Sequence, residues 1–115
     1  MRLYAEAQFR LAKPQEDGKS LRDHLENYER QTGRRHPLLA AEPSLHPGLK
    51  LIWSDFLDLH STRPVQMGEP RRITYSELES WSRVRGVRLE RWEIDAIRAA
   101  DQAYLLSLKE SREDP

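Results

Sequence analysis

Pro47-Gly48-Leu49-Lys50-Leu51-Ile52-Trp53-Ser54-Asp55-Phe56-Leu57-Asp58-Leu59-His60 sets Leu49, Ile52, Trp53, Phe56 and Leu57 at the i, i+3, i+4, i+7, i+8 spacing of a helix. One face of a helix from about Pro47 to His60 is therefore almost wholly apolar, and Pro47, which has no amide hydrogen to give, suits its first turn. Trp53 and Phe56 are assigned to the core. All three tryptophans, Trp53, Trp81 and Trp92, fall between residues 53 and 104, so the core is expected there.

Downstream, Ser61 to Arg72 carries Pro64, Gly68 and Pro70 and reads as a long irregular loop. Thr74 to Glu77 has the form of a capping box, with Ile73 and Leu78 placed to close a hydrophobic staple across it. The helix it opens holds Leu78, Trp81 and Val84, with Trp81 assigned to the core, and stops at Gly86. A last helix, about Glu90 to Lys109, has two adjacent apolar rows, Trp92, Ala96, Ala100, Tyr104 and Ile94, Ile97, Leu105, Leu108. That is more apolar face than one neighbouring helix covers, so Ile94, Ile97, Tyr104, Leu105 and Leu108, with Tyr75, are the candidate partner-binding residues.

Upstream, Ser20 and Asp23 cap a helix with Leu21, Leu25 and Tyr28 in register, ended by Thr32-Gly33. Pro37, Pro43 and Pro47 leave room for one helical turn around Leu38 to Glu42. Met1 to Lys13 forms a weakly amphipathic helix expected to dock loosely, and Pro14 to Lys19 reads as a hinge. With no β-alternation and no internal repeat, the chain reads as all-α, a bundle of about five short helices with a long loop between the third and fourth main ones. Residues 1–19 are an N-terminal extension and hinge, 20–109 the helical domain, and 110–115 a frayed tail.

Composition narrows function mostly by exclusion. The chain has 19 basic and 19 acidic residues, so no net field draws it toward nucleic acid or anionic lipid. It has no cysteine, which removes disulfides and thiolate chemistry and fits a reducing compartment. No apolar run nears the roughly 20 residues of a membrane span, and the first residues lack a signal peptide's apolar centre, so a soluble, non-exported protein is expected. His24, His36, His46 and His60 are scattered, without the i, i+4 pairing of a helical metal site, so no metal or cofactor is expected. Asp55, Asp58, Glu77, Glu79, Glu93 and Asp95 lie among arginines and read as solvated helix faces. There is no phosphate loop or nucleophile elbow, so no enzymatic activity is assigned. Arg83, Arg85, Arg88 and Arg91 around Gly86 raise the alternative of a helix-turn-helix DNA-binding regulator. The acids Glu90, Glu93 and Asp95 at the start of the second helix would repel phosphates and argue against it. Arg63 either caps the C-terminal carbonyls of the preceding helix or pairs with a buried carboxylate, Glu93 or Asp101.

The ordered set Leu21-Arg22-Asp23-His24-Leu25, Gln31-Thr32-Gly33-Arg34, Trp53-x-x-Phe56-x-x-Leu59-x-x-x-Arg63, Ile73-x-Tyr75-x-Glu77-Leu78, Trp81 and Trp92-Glu93 with Asp101-x-x-Tyr104 resembles the small tail assembly chaperones of long-tailed bacteriophages and prophages. The likeness spans Ser20 to Leu108 and rests on spaced aromatics rather than on catalytic residues. It implies a protein encoded beside the tape measure gene that binds the tape measure protein, helps to recruit tail tube protein and leaves the finished virion. It also implies the host bacterial cytoplasm, protein partners rather than nucleic acid or membrane, and room for self-association. Some members are made in two forms by ribosomal frameshifting, which fits Met1 to Lys19 as a junction or variable extension. A structural tail or connector component of the virion is the remaining alternative.

Overall fold

The computed structural model describes residues 1–113. Among them the order is α1 (Arg2–Leu11), α2 (Leu21–Thr32), α3 (Pro37–Ala40), a 3-10 turn (Pro47–Leu49), α4 (Lys50–Ser61), β1 (Val65–Gln66), β2 (Glu69–Pro70), α5 (Tyr75–Arg85) and α6 (Arg91–Glu113). The fold is helical apart from one two-residue hairpin.

Local chemistry sets most boundaries. Ser20 Oγ accepts from the Asp23 amide, and Asp23 returns a bond to the Ser20 amide. Thr74 and Glu77 close the same reciprocal box at the start of α5, at 3.2 Å in each direction. Its flanking Ile73 and Leu78 are both buried in the main core. Gly86 ends α5 with φ 66°, in the left-handed region that a side chain makes costly, and the Val87 amide reaches back to the Ser82 carbonyl.

The stretch expected to be irregular, Ser61 to Arg72, contains the hairpin. Val65 pairs with Pro70 and Gln66 with Glu69, around a turn with φ 55° at Met67 and 79° at Gly68. Two positive φ values in succession twist a two-residue turn to match its strands, a requirement visible in the sequence only through Gly68. Pro14 to Lys19 likewise is a closed turn rather than an open hinge: Pro14 bridges Ser20, the Gln15 amide donates to the Lys19 carbonyl at 2.7 Å, and the Leu21 amide to that of Lys13 at 2.9 Å. At the other end α6 runs past Lys109 to Glu113, so Glu110 to Glu113 are helical; Asp114 and Pro115, the rest of the expected frayed tail, lie outside the described residues.

Two apolar clusters form. The main one gathers Ala5, Ile52, Phe56, Leu59, Ile73, Leu78, Ile97, Ala100 and Ala103 from α1, α4, α5 and α6. A smaller one joins Leu11, Leu25 and Leu39 from α1, α2 and α3. The first helix is therefore not loosely docked, as its weak pattern suggests. Ala5 is wholly buried in the main core, and its small side chain lets α1 lie close along α6. The molecule is a slab of 49 × 37 × 19 Å with a radius of gyration of 16.0 Å, against about 13 Å for a sphere-like domain of this length. A thickness of 19 Å holds about two helix layers, so apolar side chains reach the faces.

Candidate functional site

A groove of about 760 Å³ runs between the C-terminal halves of α1 and α6, with the end of α4 at its side. Phe9, Leu57, His60, Tyr104, Leu106 and Leu108 supply its apolar and aromatic lining, and Glu6, Arg10 and Glu110 lie on its charged margin. Leu57 and Leu106 are 44% and 49% exposed, apolar area that nothing among the described residues covers.

The floor is an aromatic box. The Phe9 ring lies 6.0 Å from Trp53, 6.1 Å from Phe56, 5.9 Å from His60 and 5.1 Å from Tyr104, measured between centroids. His60 stacks on Phe56 at 5.5 Å and meets Tyr104 edge-on at 4.3 Å. These edge-to-face and offset arrangements are favourable beyond the area they bury and stiffen the floor.

Beneath the floor lies a buried ion pair. Arg63 Nη1 is 2.6 Å from Asp101 Oδ1, with the side chains only 4% and 7% exposed. The guanidinium also donates from Nε to His60 Nδ1 at 3.0 Å and from Nη1 to the Arg71 carbonyl at 2.8 Å, and it lies 4.5 Å from the Tyr104 ring centre. Asp101 Oδ2 accepts from the Ile73 amide at 3.1 Å. One arginine and one aspartate thus tie α4, the hairpin loop, the entry to α5 and α6 together. Charge attraction rather than aligned hydrogen bonding joins the two, since Arg63 Nη2 and Asp101 Oδ1 have no hydrogen-bond partner among the described residues. Because His60 Nδ1 accepts a hydrogen bond, its neutral tautomer carries the proton on Nε2. Burial, and secondarily the Arg63 charge, hold the His60 pKa below 6.5, with Asp101 partly opposing.

The other residues named from sequence divide between several places. Tyr104 and Leu108 line the groove. Tyr75 and Leu105 line a separate cavity of about 300 Å³, where the Tyr75 hydroxyl accepts from Arg98 at 2.8 Å. Ile94 packs half-buried on the core, and Ile97, expected on the contact face, is wholly buried in the core and cannot reach a partner. Trp53 is half-buried, and Trp81 sits beside the core with its indole N–H on Asp58 at 2.8 Å. Glu93 does not meet Arg63; it lies near Asp55, where burial first and then Glu93 raise the Asp55 pKa. The groove residues that sequence reasoning passed over are Phe9, Leu57, His60 and Leu106. For His60 the available signal was its spacing of four from Phe56, which stacks the two rings.

Among the described residues no three His, Asp or Glu side chains group to hold a metal, and no helix is long and apolar enough to cross a membrane. Two of the four arginines around Gly86 are already paired within the chain, Arg83 with Glu79 at 2.9 Å and Arg85 with Asp58 at 3.1 Å. What the surface offers is an apolar groove with an aromatic floor.

Compared with known proteins, residues 28–106 match the family model described as phage tail assembly chaperone, well over half of the chain. Neither a curated protein nor a solved structure matches it.

Proposed function

The chain belongs to the phage tail assembly chaperone family, and on that premise we propose that it binds the phage tape measure protein through the groove between α1, α4 and α6. The tape measure chain is taken as a long amphipathic helix former, whose apolar stripe aggregates unless covered. Seating that stripe against Leu57, Tyr104, Leu106 and Leu108 removes it from water, a gain of about 25 cal/mol per Å² of apolar surface. With the tape measure held, tail tube subunits are recruited to the complex in the host bacterial cytoplasm.

The observation that carries this reading is the groove itself, an apolar and aromatic cleft of about 760 Å³ in a chain that belongs to an assembly chaperone family. Membership in a chaperone family also supports a non-enzymatic role, and the flat slab leaves faces free for self-association. Co-expression with the tape measure gene of the same phage tests the reading: the tape measure protein is expected in the soluble fraction and in pull-downs. Failure to associate under mild salt overturns it.

A further inference from the structure

Among the described residues, α1 is the only element that belongs to both apolar clusters, through Ala5 in one and Leu11 in the other. Residues 1–42 share contacts of their own. Leu11, Leu25 and Leu39 pack as a unit, and the closed turn at residues 14–20 joins α1 to α2. Glu42 ties the ends of the lobe, accepting from Gln8 at 2.9 Å and from Arg22 at 3.1 Å. This lobe meets the α4–α6 body chiefly through one face of α1, where Ala5 is wholly buried and Phe9, one turn later, enters the aromatic box. Residues 43–46, which begin at Pro43 and stop just before Pro47, are the only covalent link between the two.

We propose that α1 occupies in cis the seat of a partner helix, and that the partner carries the same pair α1 presents, a small residue followed four positions later by an aromatic one. The inference rests on the chaperone reading and adds the recognition pattern and its regulation. A helix packed on the α4–α6 face reports what that face accepts: a small side chain for close approach to α6, then a ring for the box formed by Trp53, Phe56, His60 and Tyr104; the groove beside α1 is the part of that seat that α1 leaves open. The segment matched to the family, 28–106, contains Trp53, Phe56, His60 and Tyr104 but not α1.

Off its dock, the first helix has little to hold it. It has ten residues, no side-chain cap at Met1 and no acid in its first turn, and isolated helices shorter than about 12–15 residues are marginal in water. Its helicity therefore depends on the dock. Displacement needs a partner that binds the open form better than the closed one. A helix longer than α1 supplies that difference by also covering Leu57 and Leu106, which α1 leaves 44% and 49% exposed.

The test begins without any partner. In hydrogen exchange on the wild-type chain, amides of residues 5–11 are expected to exchange at least about tenfold faster than those of residues 97–104, because the lobe opens without global unfolding. A fluorescein-labelled peptide of residues 1–13 is then titrated into the full chain and into its Phe9→Ala variant. The variant is expected to bind it at least about tenfold more tightly, since the wild-type cis copy competes at high effective concentration; the peptide carrying Phe9→Ala should bind neither. Equal exchange in α1 and α6 overturns the proposal, as does a folded Phe9→Ala chain with no gain in peptide affinity. If those results come with intact tape measure capture, only cis occupancy fails; if the peptide competes as expected but the tape measure protein does not bind, only the chaperone reading fails.

Discussion

Neutralising one member of the Arg63–Asp101 pair is expected to cost far more than losing a surface ion pair. Asp101→Asn keeps the size of the side chain and an acceptor for the Ile73 amide, yet leaves a guanidinium with 4% side-chain exposure and no counter-charge. With side chains so little exposed, solvent screening gives no relief, and breaking a buried pair from one side costs about 3 kcal/mol or more. A domain of this size has on the order of 5–15 kcal/mol in total. The melting temperature should fall by about 10–15 °C. Arg63→Met should cost a similar amount, stranding Asp101 and releasing the Arg71 carbonyl and His60 Nδ1. Removing both charges strands neither, so the double variant should lose about as much as one single, a coupling of about 2–3 kcal/mol. Urea and thermal unfolding followed by circular dichroism would measure all four proteins. Losses below about 1 kcal/mol for each single, or strict additivity in the double, would refute the claim that this pair braces the fold.

Three further outcomes are expected. Thr74→Ala removes one arm of the α5 capping box and should destabilise by about 1 kcal/mol, whereas Thr74→Ser, which keeps the hydroxyl, should retain most of that stability; an unchanged urea midpoint in the alanine variant would show the box to be idle. Since the His60 pKa is lower folded than unfolded, the unfolded chain binds more protons between the two values. Stability from His60 is then complete above about pH 6.5 and declines as pH falls toward the folded value; His60→Asn, which can still accept from Arg63, should flatten that part of the melting profile, and an identical profile would contradict the assignment. Trp81→Phe drops the bond to Asp58 and also removes one ring of the indole packed beside the core, costing about 1–3 kcal/mol in unfolding experiments, and a neutral result would mean Arg85 alone satisfies that carboxylate.

What could be read from the sequence was local. Thr74 with Glu77, Ser20 with Asp23, and Gly86 each act within four residues, and the structure gives them the bonds their spacing implies. The stripe from Ile52 to Leu59 shows as plainly, because period and burial are the same fact on a helix. Arg63 marks the limit. Its position after an apolar helix suggests a buried carboxylate partner, but Glu93 and Asp101 are eight residues apart, about 12 Å along α6, and only the packing of α6 against α4 selects Asp101. Ile94 and Ile97 diverge for the same reason, one half-buried and one at 0% exposure. The groove was the least legible feature. One wall is α1, which enters the main core through Ala5, a side chain too small to stand out as an apolar stripe, and its floor includes a histidine. Spaced aromatics pointed to the family; they did not point to the surface.

The most direct test of the account compares the wild-type chain with a Leu57→Glu, Leu106→Glu double variant, both co-expressed with the tape measure gene of the same phage. Each change lies on exposed apolar surface at the groove, so folding by circular dichroism should be preserved. The wild-type protein is expected to keep the tape measure protein soluble and to co-purify with it, and the folded variant to do neither. Capture by the variant as complete as by the wild type would contradict the groove as the binding surface.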